Sequence, residues 1–100
     1  SFGYMTLGKV HTDTYKDELL FYVNVQNNED SRFDDAQVNI WIPELDIYQT
    51  TSEFDLGKGD TNGMTIAVPL HEDYGHGNYL ARVMYTDDNF KDWAYMYVTI

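Results

Sequence analysis

Residues 77–100 constrain the fold of this chain most strongly, because they have the pattern of a β-hairpin. In GNYLARVMYTDDNFKDWAYMYVTI, two runs of alternating side chains flank the polar turn DDNFKD. A period of two residues with β-branched and aromatic side chains is typical of strands. Both faces of the hairpin carry apolar or aromatic side chains. We therefore expect one face to pack on a core and the other to form an aromatic surface.

Five further segments have the composition of strands, and polar turns separate them. They are residues 2–10, 18–26, 36–42, 44–56 and 64–70. The two glycines of the first segment predict an edge strand or a bulge, and the fourth segment predicts one irregular strand that crosses between sheets. No segment has a helical period. Residues 1–100 are therefore predicted to form a single all-β domain, an immunoglobulin-like seven-stranded antiparallel β-sandwich.

The charge of the chain excludes several classes of partner. It has 17 acidic and 6 basic residues, a formal net charge of −11 and no cysteine. Such a chain repels phosphate backbones and anionic lipids, so we expect no nucleic-acid partner. No apolar run approaches the ~20 residues of a membrane span, so no membrane insertion is expected. Without cysteine, neither a disulfide framework nor a Cys-based zinc site can form.

Short motifs along the chain are shared with a group of extracellular domains. They are VNVQNN at residues 23–28, IPEL at 42–45, FDLGKG at 54–59, VP at 68–69 and GNY at 77–79. They resemble immunoglobulin-like β-sandwich modules of the CARDB type and domains of archaeal surface-layer-like cell-surface proteins. The resemblance covers residues 19–86. It implies an extracellular or cell-surface module used in surface architecture or adhesion, and it implies no catalytic residues.

Acidic residues are concentrated in three loops, at residues 27–35, 57–63 and 87–92. If the strands alternate in direction, these loops share one end of the sandwich, whereas a hairpin within residues 44–56 would separate them. Ca²⁺ prefers 6–8 oxygen ligands, which makes calcium the candidate cofactor. The alternative is that turns favour Asp and Asn, which also keep a domain soluble. The candidate ligands are Asp30, Asp34, Asp35, Asp60, Asp87 and Asp88.

The three histidines suggest a second metal hypothesis. His11, His71 and His76 lie in two predicted loops, residues 11–17 and 71–77, at the opposite end. Three imidazoles with a neighbouring carboxylate could hold zinc or copper. The alternative is that they are ordinary loop histidines, since the two later ones lie in a glycine-rich loop. No serine or cysteine has the setting of a nucleophile, so we expect no enzyme activity.

The hairpin register decides the candidate binding surface. If Ala81 and Val83 point inward, an aromatic and arginine-containing set points outward, and the strand of residues 36–42 lies beside it. In the alternative register, the same rings fill the core. Trp, Tyr, Met and Arg are enriched at interfaces. The candidate surface comprises Trp41, Arg82, Met84, Trp93, Tyr95 and Tyr97.

The predicted function follows from that surface and from the resemblance. We expect a non-enzymatic cell-surface structural or adhesion module that acts through protein–protein contacts. Its partner would be another protein, a neighbouring domain or a subunit. A flat row of aromatic rings also suits sugar rings, so the alternative is a carbohydrate-binding module that uses the same sheet face.

Overall fold

The computed structural model describes the backbone of residues 5–15 and 17–100 and the side chains of residues 17–100. This part of the chain is all-β, apart from a single 3-10 turn at Pro43–Leu45. No helix in it is long and apolar enough to cross a membrane. The described strands are β1 Met5–Tyr15, β2 Glu18–Asn27, β3 Phe33–Ile42, β4 Ile47–Thr50, β5 Phe54–Leu56, β6 Thr61–Pro69, β7 Asn78–Thr86 and β8 Lys91–Thr99.

The strands form two antiparallel sheets around one core. The three-stranded sheet has the order β1-β2-β6, and the five-stranded sheet has the order β4-β3-β7-β8, with β5 also pairing with β3. Every second residue of β2, from Leu19 to Val25, is buried, as are the inward residues of β3 and β7. Burial of these apolar side chains is the main stabilising contribution to such a fold. The predicted all-β, antiparallel class is confirmed.

The first strand ends later than predicted. Residues 2–4 lie outside the described part of the chain, and β1 continues through residues 11–15, where the sequence predicted a loop. It pairs with β2 along its whole length, out to Tyr15 opposite Glu18. The long apolar β2 therefore provides a template that overrides the polar composition of residues 11–15. The predicted edge position is confirmed, and so is a bulge, which lies between Leu7 and Val10.

Residues 44–56 do not cross between sheets, so that prediction is wrong. After the 3-10 turn, Asp46 adopts a left-handed conformation with φ of 54°, and both β4 and β5 then pair with β3. Between them, the Thr51 hydroxyl accepts the Val38 N–H at 3.0 Å and interrupts the ladder. This break divides the predicted single strand in two. The described strands therefore number eight, where the sequence predicted seven.

The division of that strand leaves the direction of the chain unchanged. Both β4 and β5 run antiparallel to β3, so the chain keeps one direction through both of them. No hairpin forms within residues 44–56. The loops that follow β2, β5 and β7 consequently remain at one end of the molecule, as the sequence predicted.

The outward-aromatic register of the hairpin is confirmed. Ala81 pairs with Met96, and Val83 pairs with Ala94. Ala81, Val83 and Val98 are fully buried. The outward side chains of β8 are exposed: Trp93 by 54%, Tyr95 by 59% and Tyr97 by 73%. The alternative register, with these three rings in the core, is therefore contradicted.

Candidate binding surface

The outer side of the five-stranded sheet carries the candidate surface, which we call the aromatic face. We define it as the outward positions of β4, β7 and β8, and of residues 37–41 in β3. The register places its side chains in rows that cross the strands. One row is Tyr48, Trp41, Arg82, Tyr95; the next is Thr50, Asn39, Met84, Trp93; a third pairs Leu80 with Tyr97.

Arg82 is at the centre of the first row and stacks on an aromatic ring. Its guanidinium carbon lies 5.1 Å from the centroid of the Trp41 ring, within the range of a cation–π interaction. Its Nε is buried without a hydrogen-bond partner, and no carboxylate among the described side chains forms an ion pair with it. The ring therefore holds the guanidinium in place while its charge remains unneutralised within this part of the protein.

Asn39 in the second row points outward but is covered by its neighbours. It lies between Thr50 and Met84 in the sheet and is only 4% exposed. Its Oδ1 is buried and has no hydrogen-bond partner. A buried polar atom without a partner costs about 1–3 kcal/mol. Asn39 and Arg82 thus each place on this face one buried polar atom without a hydrogen-bond partner among the described residues.

The exposed apolar area of the aromatic face is large for a domain of this size. Trp41 is 39% exposed and Tyr48 is 62% exposed, and both join the three rings of β8. Because an aromatic side chain has about 150–250 Å² of surface, these five rings expose roughly 400–700 Å². The largest apolar patch on a typical monomer is about 300–600 Å² and often serves binding. This area supports an interaction role for the face.

The rim of the aromatic face is polar, and its one charged residue among the described side chains is Lys91 at the start of β8. At one corner, the Thr99 hydroxyl donates to Asn78 Oδ1 at 2.6 Å. At the opposite corner, Gln37 Nε2 donates to the Thr51 carbonyl at 3.0 Å. An apolar centre with a polar rim is the usual organisation of a protein interface.

Charge is distributed unevenly between the aromatic face and the rest of the chain. None of the 17 acidic residues occupies an outward position of the face, whereas Arg82 and Lys91 do. Just beyond it, Asp34 and Asp55 lie near the loop end of the same sheet, at 2.7 and 2.9 Å from the Arg32 guanidinium. Arg32 lowers the pKa of Asp55, with help from the Asp35 N–H. The face is thus free of carboxylates in a strongly acidic chain.

The structure brings the six predicted surface residues together. Trp41, Trp93, Tyr95 and Tyr97 are exposed on the aromatic face, and Arg82 and Met84 lie half-buried among them. The sequence prediction missed Tyr48, which extends the first row to the edge of the sheet. The available sequence signal was the alternation of apolar Ile47, Tyr48 and polar Gln49. A strand of four residues is too short for a two-residue period to be recognised.

The three acidic loops meet at one end, which confirms their predicted neighbourhood. The N–H of Asn27 donates to the Asp60 carbonyl at 2.9 Å, and the N–H of Gly59 donates to the Asn27 carbonyl at 3.1 Å. Gly59 has φ of 74°, a conformation that favours glycine. Phe90 in the β7–β8 turn packs edge-on against Phe33, with ring centroids 5.2 Å apart.

Asp87 uses its carboxylate to build the hairpin turn. Its Oδ1 accepts the N–H groups of Asn89 and Phe90 at 2.7 and 2.8 Å, and its Oδ2 accepts the Tyr85 hydroxyl at 2.6 Å. Burial raises the pKa of Tyr85 well above its usual range, and the bond to Asp87 adds to the shift. This carboxylate therefore has a structural role.

The other candidate calcium ligands do not converge on one point. Asp30 lies 3.3 Å from Lys58, and Asp34 pairs with Arg32. Across residues 17–100, no group of three or more His, Asp or Glu side chains is arranged to hold a metal ion. Calcium binding stays a prediction without a preformed site in this part of the chain. Asp60 and Asp88 are exposed in two of these loops, and Asp35 is exposed near the start of β3.

The two later histidines line an open cleft of about 310 Å³ at the opposite end. The ring of His71 packs edge-on against Tyr74, with centroids 5.3 Å apart. His76, Asp17 and Glu72 also line this cleft. Among the described side chains, they form no group that is arranged to hold a metal ion. The side chain of His11, the third histidine of the zinc or copper hypothesis, lies outside the described residues.

Comparison with known proteins does not assign this surface to a family. No model of a known protein family matches the chain, and no curated protein matches it significantly.

Proposed function

We propose that this chain is a non-enzymatic, immunoglobulin-like module of a cell-surface protein. The order of the strands supports the immunoglobulin-like part of this proposal. A β1-β2-β6 sheet that faces a β4-β3-β7-β8 sheet corresponds to an arrangement of two antiparallel sheets with crossing connections between them. The motifs of residues 19–86 that resemble CARDB-type modules are distributed over this same arrangement.

The module acts as a structural or adhesion unit through protein–protein contacts at its aromatic face. The observation that carries this proposal is the exposure of five aromatic rings on one sheet face whose outward positions contain no carboxylate. Their roughly 400–700 Å² is close to the ~800 Å² that one partner contributes to a standard protein interface. Arg82 and Met84 add residue types that are frequent in such interfaces.

Binding of the labelled chain to intact cells of its source organism, measured by flow cytometry, tests this proposal. The test variant is Trp93→Ala/Tyr95→Ala on the aromatic face. The control is Asn24→Ala/Thr65→Ala, which changes two exposed positions on the outer side of the three-stranded sheet. We expect the test variant to lose binding and the control to keep it. Equal binding by both variants would contradict a role for the aromatic face.

A carbohydrate ligand is the second candidate, and the first row of the aromatic face favours it. Tyr48, Trp41 and Tyr95 extend across neighbouring strands, so their rings are suited to stack on successive sugar rings. Arg82 lies within the same row and has N–H groups that sugar hydroxyls can accept. Binding to a glycan array that disappears in Trp41→Ala, while the chain stays folded, would select this function over protein contacts.

A further inference from the structure

We propose that the partner of the aromatic face is a second copy of this chain, bound face to face in a two-fold symmetric dimer. This inference rests on the proposed binding role of the face and names its occupant. Two-fold dimers are the commonest protein assemblies, and their interfaces use the same patch on both copies. Three observations support this arrangement: the exposed area of the face, the absence of carboxylates from its outward positions, and the neighbours that cover the edges of the sheets.

The area of the face is sufficient for such a dimer. The five rings together with half-buried Leu80, Arg82 and Met84 approach the ~800 Å² per partner of a standard interface. In a symmetric contact, the rings of one copy meet the rings of the other, and aromatic pairs contribute beyond the area that they bury.

The distribution of charge makes this face the surface on which two copies can approach. Each copy has a net charge of −11, so most orientations bring carboxylates together. The outward positions of the aromatic face contain no carboxylate. At 0.15 M ionic strength the Debye length is about 8 Å, so charges beyond the interface are largely screened. The contact is therefore free of carboxylates and is opposed only by repulsion between the acidic surfaces that lie beyond it.

The edges of the two sheets are less suited to contact a second copy. The backbone of β1 runs close to β8 and lies beside the outer edge of the five-stranded sheet. On the other side, Gln49 Nε2 donates to the Ala67 carbonyl of β6 at 2.7 Å and bridges the two sheets. Pairing of strands between copies would have to displace these neighbours, whereas contact through the aromatic face displaces only water.

Analytical ultracentrifugation of the unmodified chain at several concentrations tests the proposal. We expect a monomer–dimer equilibrium whose dissociation constant falls several-fold between 0.05 and 0.5 M NaCl, because salt screens the repulsion between copies. Tyr95→Glu places a carboxylate on the aromatic face and should weaken the dimer roughly tenfold or more. The matched control Thr65→Glu adds the same charge at an exposed position of β6 and should leave the dimer intact.

Each other outcome would overturn the proposal. A monomer at all concentrations, with cell binding still lost in Trp93→Ala/Tyr95→Ala, would reject a second copy as the partner and retain the proposed function. A dimer that survives Tyr95→Glu would lie on another surface, and an association that weakens with salt would be driven by charge. Circular dichroism verifies folding, and Trp93→Ala replaces Tyr95→Glu if that variant unfolds.

Discussion

The two sheets of this domain have similar inner faces but different outer faces. Inside, both present aliphatic and aromatic side chains to one core. Outside, the described side chains of the three-stranded sheet include exposed Asn24, Gln26, Thr61 and Thr65, with Leu20 and Tyr22 half-buried beside them. The five-stranded sheet exposes aromatic rings at the corresponding outward positions. Among the described side chains, the exposed large apolar residues all lie on the five-stranded sheet, so the two outer faces differ in the ring surface that they present to solvent.

Cross-strand stabilisation offers a competing explanation for the outward rings. Trp93 lies opposite Met84 in the β7–β8 ladder, and such pairs contribute about 0.2–1 kcal/mol each. This contribution does not require rings that remain more than half exposed. It also does not explain the unpartnered Asn39 and Arg82 atoms beside them. The predictions below separate stabilisation of the fold from the use of this surface.

The largest expected difference is between an inner ring and an outer ring. Phe21 is fully buried in the core, so Phe21→Ala should lower the free energy of unfolding by about 3–5 kcal/mol. Tyr97 is 73% exposed, and Tyr97→Ala should lower it by no more than about 1 kcal/mol. Urea unfolding followed by circular dichroism measures both changes. Similar losses in the two variants would show that the outer rings serve stability.

Asn27 connects the end of β2 to the end of β5 through buried hydrogen bonds, and its replacement should have the next largest effect. Its buried amide Nδ2 donates to the carbonyls of Ser31, Leu56 and Gly57 at 2.8, 3.1 and 3.1 Å. Asn27→Ala leaves these groups without that donor, so the free energy of unfolding should fall by about 2–4 kcal/mol.

Asn24→Ala is the matched control for Asn27, since it changes an exposed amide on the outer side of the same strand. Its free energy of unfolding should stay within about 0.5 kcal/mol of the unmodified chain. If thermal unfolding gave equal losses of stability for the two variants, the hydrogen bonds of the Asn27 amide would not stabilise the fold.

Tyr85 contrasts with the outward tyrosines because it points into the core. Its hydroxyl donates to Asp87, so Tyr85→Phe should cost about 1–2 kcal/mol at neutral pH. The raised pKa of Tyr85 means that the folded state holds this proton more tightly than the unfolded state. The resulting stability is complete below about pH 10 and is lost as the pH rises above that value.

Urea titrations at pH 8 and pH 11 measure this linkage in the unmodified chain and in Tyr85→Phe. The difference in stability between the two proteins should be smaller at pH 11. A difference that stays constant with pH would show that Tyr85 ionises equally in both states.

The smallest expected effect is that of Ca²⁺ on the melting temperature, through the end of the molecule where the three acidic loops meet. Because its carboxylates are engaged separately or remain apart, we expect millimolar Ca²⁺ to leave the melting temperature unchanged. Differential scanning calorimetry with Ca²⁺, and with Mg²⁺ as the control, measures this. A rise of several degrees that is specific to Ca²⁺ would establish the site that the sequence predicts.

Sequence periodicity was sufficient for the elements that are long and regular. Alternation over β2 and over the β7–β8 hairpin separated each strand into two faces. It left open which face of the hairpin points to the core, and only the register in the structure showed that Trp93, Tyr95 and Tyr97 point outward. It was insufficient at residues 11–15, where pairing with β2 extends the strand, and at residues 44–56, where Thr51 interrupts the ladder.

By itself, then, the sequence determined the all-β class and the row of aromatic residues along one side of the last strand, because both depend on the local two-residue period. The direction in which that row faces required the tertiary structure. Only the tertiary structure decided that Tyr48 aligns with Trp41, that Asn39 is covered, and that the acidic loops meet without forming a metal-binding group. The physical reason is that these features depend on strand order and on distances between residues far apart in the chain, which local periodicity does not encode.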